Sequence, residues 1–128
     1  MQNEKIKILI VDDEPDILEV IEYNLLKDDY QVVRASNGKI ALEKAIAEKP
    51  NLILLDIMMP EMDGIEVCRE LRSLREFDNT IIAFLTARNE DFTQVQGFDV
   101  GADDYITKPI KPRILLSRIK ALLRRTAV

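Results

Sequence analysis

The sequence predicts an α/β fold, a parallel sheet of five strands with helices on both faces. Five short apolar runs alternate with helix-like stretches along 128 residues, the spacing of consecutive βα units. Among them Ile8–Val11, Leu52–Leu55 and Ile81–Leu85 are continuously apolar rather than alternating, as expected of strands covered on both faces. Two of them end in carboxylates, at the carboxyl ends of buried strands, where open α/β sheets place their ligands.

Ile6–Val11 is the first strand. Asp13, Glu14 and Pro15 then supply the acidic residues and the proline that favour a helix start. Ile17, Leu18, Ile21, Leu25 and Leu26 follow at helical spacing. Gln31–Ala35 reads as a second, shorter strand, Asn37-Gly38 as a turn, and Ile40–Ala47 as a second helix. Leu52–Leu55 is the third strand. A helix over Ile65–Leu74 turns Ile65, Cys68, Leu71 and Leu74 inward. Ile81–Leu85 is the fourth strand, ending in Thr86-Ala87. A weakly patterned helix covers Asp91–Val100, and Gly101 closes it as a C-terminal cap. Asp103–Thr107 is a short fifth strand, broken by Lys108-Pro109, and Arg113–Arg125 forms the last helix.

A chain of this length makes one domain with a proper core. Hydrophobic content of 47% and charged content of 32% fit a soluble globular protein. No apolar run is long enough to span a bilayer, and Met1 to Lys5 leads straight into a strand without a signal peptide. The single Cys68 excludes an internal disulfide, which suits the cytoplasm. Its place in an amphipathic pattern makes it a small buried apolar residue. Histidine is absent, which removes Ser/His and Cys/His catalysis and most zinc sites. With a net charge of −5, the chain by itself should bind nucleic acid poorly.

Asp56 stands where Leu52-Ile53-Leu54-Leu55 ends, and Asp12-Asp13-Glu14 stands where Ile8-Leu9-Ile10-Val11 ends. Three or four carboxylates gathered at two strand ends repel one another and need a cation or a proton. The cluster therefore reads as a metal-dependent site.

Val11-Asp12-Asp13-Glu14, Leu55-Asp56-Ile57-Met58-Met59-Pro60, Asp63-Gly64, Leu85-Thr86-Ala87 and Gly101 through Pro109 together resemble the receiver domain of bacterial two-component response regulators. The match runs in order along the whole chain. The resemblance implies a flavodoxin-like doubly wound sheet with strand order 2-1-3-4-5. It implies a phosphorylation-activated switch rather than a turnover enzyme, with a sensor histidine kinase as partner. Asp56 would be the phosphoacceptor, attacking the partner's phosphohistidine. Asp13, Asp56 and the backbone carbonyl of Met58 would bind Mg²⁺ directly, and Asp12 through a water. Glu14 reads as helix-start charge. Thr86 and Lys108 would bind phosphate oxygens, and the small Ala87 would leave room for the donor. Thr86 and Tyr105 would form the switch, the ring turning inward when Asp56 carries phosphate. A cis bond would precede Pro109. Met58 and Arg88 would flank the path of hydrolytic water; neither is a general base, which implies slow loss of the phosphoryl group.

The final third is similar to the OmpR-like subfamily, whose members carry a C-terminal winged-helix DNA-binding domain. Active receivers of that subfamily pair as homodimers. The corresponding face carries Asp99, Asp104, Ile114, Arg118 and Lys120, with Asp99–Lys120 and Asp104–Arg118 as ion pairs between subunits. A third pair of that pattern falls on Gln94 and Ile114, which carry no charge. Residues 1–125 thus read as the receiver and 126–128 as the start of a linker to an output domain that would contact DNA. A natural stand-alone receiver is the alternative, and an aspartate-nucleophile phosphohydrolase a further one. That second class places another aspartate two residues after the nucleophile, where this chain has Met58.

Overall fold

The computed structural model describes residues 6–87 and 99–125. They form β1 (Lys7–Val11), α1 (Pro15–Lys27), β2 (Gln31–Ala35), α2 (Gly38–Glu48), β3 (Leu52–Asp56), α3 (Gly64–Arg72), a short 3₁₀ turn (Arg75–Phe77), β4 (Ile81–Thr86), β5 (Asp104–Thr107) and α4 (Pro112–Arg124). The five strands make one sheet in the order β2-β1-β3-β4-β5, and every neighbouring pair is parallel. This is the doubly wound order that the resemblance implied.

Alternation along each strand splits the core in two. Leu9, Val11, Ile53, Leu55 and Phe84 face α2 and α3, with Val67, Cys68 and Leu71 packed over them. Ile8, Ile10, Leu52, Leu54, Ala83 and Leu85 face α1 and α4, under Leu18, Ile21, Leu25, Leu115 and Ile119. β1, β3 and β4 are apolar apart from Lys7 at the start of β1 and Asp56 and Thr86 at the ends of β3 and β4, because both of their faces are covered.

The element boundaries have local causes. Pro15 opens α1 at a position where its missing N–H costs nothing. Asn37 is the N-cap of α2 rather than part of a free turn: its Oδ1 accepts from the Ile40 amide at 2.9 Å, so the helix begins at Gly38. Asp63 caps α3 in the same way through the Glu66 amide at 2.9 Å.

One expectation for the core is corrected. Leu74 does not belong to α3, which ends at Arg72; it precedes the 3₁₀ turn and is 37% exposed. Leu26 is on α1 but 52% exposed, because Leu25 takes the inward position of that turn. The helix expected over Asp91–Val100 falls mainly on residues outside the described ones, as do Arg88, Gln94 and 126–128. Gly101 takes φ 107°, the conformation a helix-ending glycine supplies without a Cβ penalty.

Candidate functional site

The parallel registers set Val11 beside Leu55 and Asp56 beside Leu85. Asp12, Asp56 and Thr86 therefore emerge together at the carboxyl ends of β1, β3 and β4. They are the buried polar residues among the described ones. Asp13 follows Asp12 but is exposed. Carboxylate oxygens of Asp12, Asp13 and Asp56 lie within 4.8 Å of one another.

Asp12 has two tasks. Its Oδ1 accepts from the Glu14 amide at 2.9 Å, turning the chain into α1. Its Oδ2 lies 3.1 Å from Lys108 Nζ, which is also 3.2 Å from Asp56 Oδ1. Glu14 Oε1 is 3.8 Å from the same ammonium at the solvent edge. Lys108 reaches inward because its amide donates to the Thr86 carbonyl at 2.7 Å and extends the β4–β5 ladder by one bond. The Lys108-Pro109 bond is cis.

Burial pushes the Asp56 carboxyl up to about 7; Asp12 and Asp13 add to the rise, and Lys108 opposes it. Lys108 is itself held above its ordinary value: burial opposes its charge, but the Asp56 and Asp12 carboxylates outweigh that. The ammonium is therefore a permanent positive charge at neutral pH. One lysine does not balance three carboxylates, so the nest favours a further cation. Its donors are all oxygen, the set suited to Mg²⁺ or Ca²⁺ rather than Zn²⁺.

Gly64 fixes the back of the site. Its amide donates to the Ile57 carbonyl at 2.9 Å. A Cβ on Gly64 would collide with the backbone carbonyl of Asp56. The start of α3 can sit against the end of β3 only because that residue lacks a side chain.

The sequence-derived residues occupy several distinct places. Asp12, Asp13, Asp56 and Lys108 are brought into one cluster. Thr86 and Ala87 are at its rim, where Thr86 Oγ1 donates to the Ala87 carbonyl at 3.3 Å. Met58 is 65% exposed. Tyr105 is buried one strand further out, its ring 5.7 Å from that of Phe84. On the outer face Arg118 Nη1 donates to both carboxylate oxygens of Asp104 in its own chain, at 3.0 and 3.1 Å. Lys120 is 3.8 Å from Asp28, also of its own chain, and Asp99 is exposed.

Sequence reasoning missed Arg72 and Asp103. Arg72 Nε donates to the Gly101 carbonyl at 3.0 Å, Nη1 to the carbonyls of Phe77 and Thr80, and Nη2 to Asp103 Oδ2 at 3.1 Å. That carboxylate oxygen also accepts from the Ile82 amide at 2.9 Å. A signal was present: Arg72 lies four residues after Cys68, on the inward stripe of α3, where a charge needs partners.

A family model described as the response regulator receiver domain matches residues 8–120. The chain belongs to this family. Over 122 residues it is 50% identical to the alkaline phosphatase synthesis transcriptional regulatory protein PhoP of Bacillus subtilis, covering 95% of this chain and 50% of that protein. Over 126 residues it is 46% identical to the transcriptional regulatory protein ResD of the same organism, covering 98% of this chain and 51% of ResD. The receiver thus spans about half the length of these curated relatives. Among solved structures, the chemotaxis protein CheY4 of Vibrio cholerae superposes with a TM-score of 0.87 at 31% identity, over 91% of this chain and 98% of that one. A two-component response regulator from Clostridium difficile gives 0.90 at 31% identity, over 97% and 100%. No helix among the described residues of this receiver is long and apolar enough to cross a membrane.

Proposed function

We propose that Asp56 accepts a phosphoryl group from the phosphohistidine of a sensor histidine kinase, and that the acyl phosphate switches the association of a transcriptional regulator. The observation that carries this reading is the Lys108 ammonium held between Asp56 Oδ1 and Asp12 Oδ2. It fixes positive charge beside one carboxylate that is buried yet reachable at the strand ends. An Asp56 oxygen attacks phosphorus, the P–N bond to the donor imidazole breaks, and that nitrogen leaves with its electron pair and takes a proton. Lys108 and the Thr86 hydroxyl hold phosphoryl oxygens, and Ala87 leaves space for the donor. Asp13, Asp56 and the Met58 carbonyl are the direct ligands we assign to Mg²⁺, and Asp12 acts through a water. When bound, the ion neutralises charge on the transferring group.

Acetyl phosphate with Mg²⁺ should add one phosphoryl group to the chain by intact mass. Failure of the parent chain to label would overturn this reading. Asp13→Asn should weaken Mg²⁺ binding about tenfold or more, and Asp12→Asn by less, since a direct ligand costs more than a bridged one. A titration that ranks them the other way would remove our ligand assignment.

The OmpR-like character favours pairing through the face of Asp99, Asp104, Ile114, Arg118 and Lys120. Support comes from a shallow cavity of about 190 Å³ between β5 and α4, lined by Tyr105, Ile114 and Arg118 among others, and from Ile114, 49% exposed at its edge. Because Arg118 holds Asp104 within its own chain, pairing between subunits would exchange that bond for an equivalent one. Such an exchange sets register more than affinity. Arg118→Glu should shift the phosphorylated chain toward monomer in sedimentation by placing like charges together. An unchanged dimer would assign the interface elsewhere. DNA contact is assigned to a C-terminal domain outside this sequence.

A further inference from the structure

We propose that Arg72, with Asp103, is a positioning residue for Lys108, acting through the register of β5. This rests on the phosphotransfer reading above.

β5 is a short edge strand, paired only with β4. An edge strand of four residues has few ladder bonds to define its register, and a slip of one residue would exchange its two faces. Tyr105 would leave the core, and Lys108 would leave the carboxylates. The far end of β5 is pinned by the Lys108 amide on Thr86. Its near end is pinned by Asp103, whose amide donates to the Ile82 carbonyl at 2.7 Å while its Oδ2 accepts from the Ile82 amide. This two-way grip depends on the Asp103 side chain being aimed at β4. Arg72 aims it, and it does so from a fixed place, because its other nitrogens hold Gly101, Phe77 and Thr80. Thr80 immediately precedes β4 and Gly101 lies just before β5. One guanidinium thus ties together the starts of both strands whose ends carry Thr86 and Lys108. Arg72 is largely buried, its side chain 19% exposed, so these bonds face little competition from water. The metal carboxylates are on β1 and β3 and do not depend on this clamp.

The placement separates two readouts. With acetyl phosphate, Arg72→Ala should label about tenfold more slowly than the parent, as expected when a catalytic group is displaced by about an ångström or less. Mg²⁺ affinity should not fall, because a displaced Lys108 takes positive charge away from the carboxylates. In a Lys108→Ala background, removing Arg72 should cause no further loss of rate. All rates are taken well below the melting temperature of the least stable variant. If Arg72→Ala does not fold, Asp103→Asn provides the same comparison: it removes the ion pair but keeps an acceptor for Ile82, and should slow labelling about threefold with the same dependence on Lys108. An unchanged rate overturns the proposal. So does a loss that multiplies with that of Lys108→Ala, or a parallel loss of Mg²⁺ affinity. A parent chain that never labels instead overturns the functional reading beneath it.

Discussion

Asp56→Asn should abolish phosphorylation and at the same time stabilise the metal-free protein. An amide is not a comparable nucleophile, so intact mass after acetyl phosphate treatment should show no adduct; equal labelling of the variant would place the acceptor elsewhere. The stability effect follows from the position of the carboxyl. Burial, then Asp12 and Asp13, raise it to about 7 against the pull of Lys108, whereas an unfolded chain titrates it near the ordinary value of about 4. Between these values the folded protein keeps a proton that the unfolded chain has lost. Stability therefore falls as pH rises through this window, and the loss is complete above the folded value. The Asn variant carries no such charge. With chelator present, its melting temperature should match the parent near pH 4 and exceed it above pH 7. The gain should be on the order of 2 kcal/mol, since Lys108 keeps Asp12 as a partner and one uncompensated charge is gone. A variant no more stable than the parent at pH 8 would mean that the carboxylates are solvated better than their burial suggests.

Among the described glycines, Gly64→Ala should be the most damaging replacement. The added Cβ meets the Asp56 carbonyl and the backbone beside it, and backbone cannot swing aside as a side-chain tip can. Either α3 lifts from the sheet or the end of β3 moves. Overpacking of this kind costs about 1–3 kcal/mol. The displacement lands on Asp56 itself, so its labelling should fall about tenfold or more, even in the folded fraction. Thermal melting and intact mass measure the two effects separately. Parent-like values in both would mean that the Gly64 contact relaxes freely.

Asp12, Asp56 and Thr86 were legible because each follows an apolar run directly, Lys108 because it stands between a strand end and a proline, and parallel strands deliver their ends to one place. The Asp12–Lys108–Asp56 geometry followed from the register of just three strand pairs. The place of Arg72 on the inward stripe of α3 said that it needs partners but not which ones, because they are mostly main-chain carbonyls at Phe77, Thr80 and Gly101, and carbonyls carry no sequence signal. Leu74 misled because helical spacing continues past the residue where the backbone leaves the helix. The ion pairs assigned between subunits fell on residues that also reach partners in their own chain, Arg118 with Asp104 and Lys120 with Asp28. Charge pattern alone does not say on which side of an interface a partner stands.

The division of the core by the sheet has an evolutionary consequence. The apolar side chains that meet α2 and α3 are different residues from those that meet α1 and α4, even where they alternate along one strand. A substitution that loosens one layer is compensated within that layer, because its neighbours across the sheet are backbone. The two halves can therefore drift as separate lineages of packing while the strand ends stay in place. Superposition at a TM-score of 0.87 with only 31% identity is what such independence allows. The fold can keep one phosphoacceptor site while its two outer surfaces diversify on separate schedules.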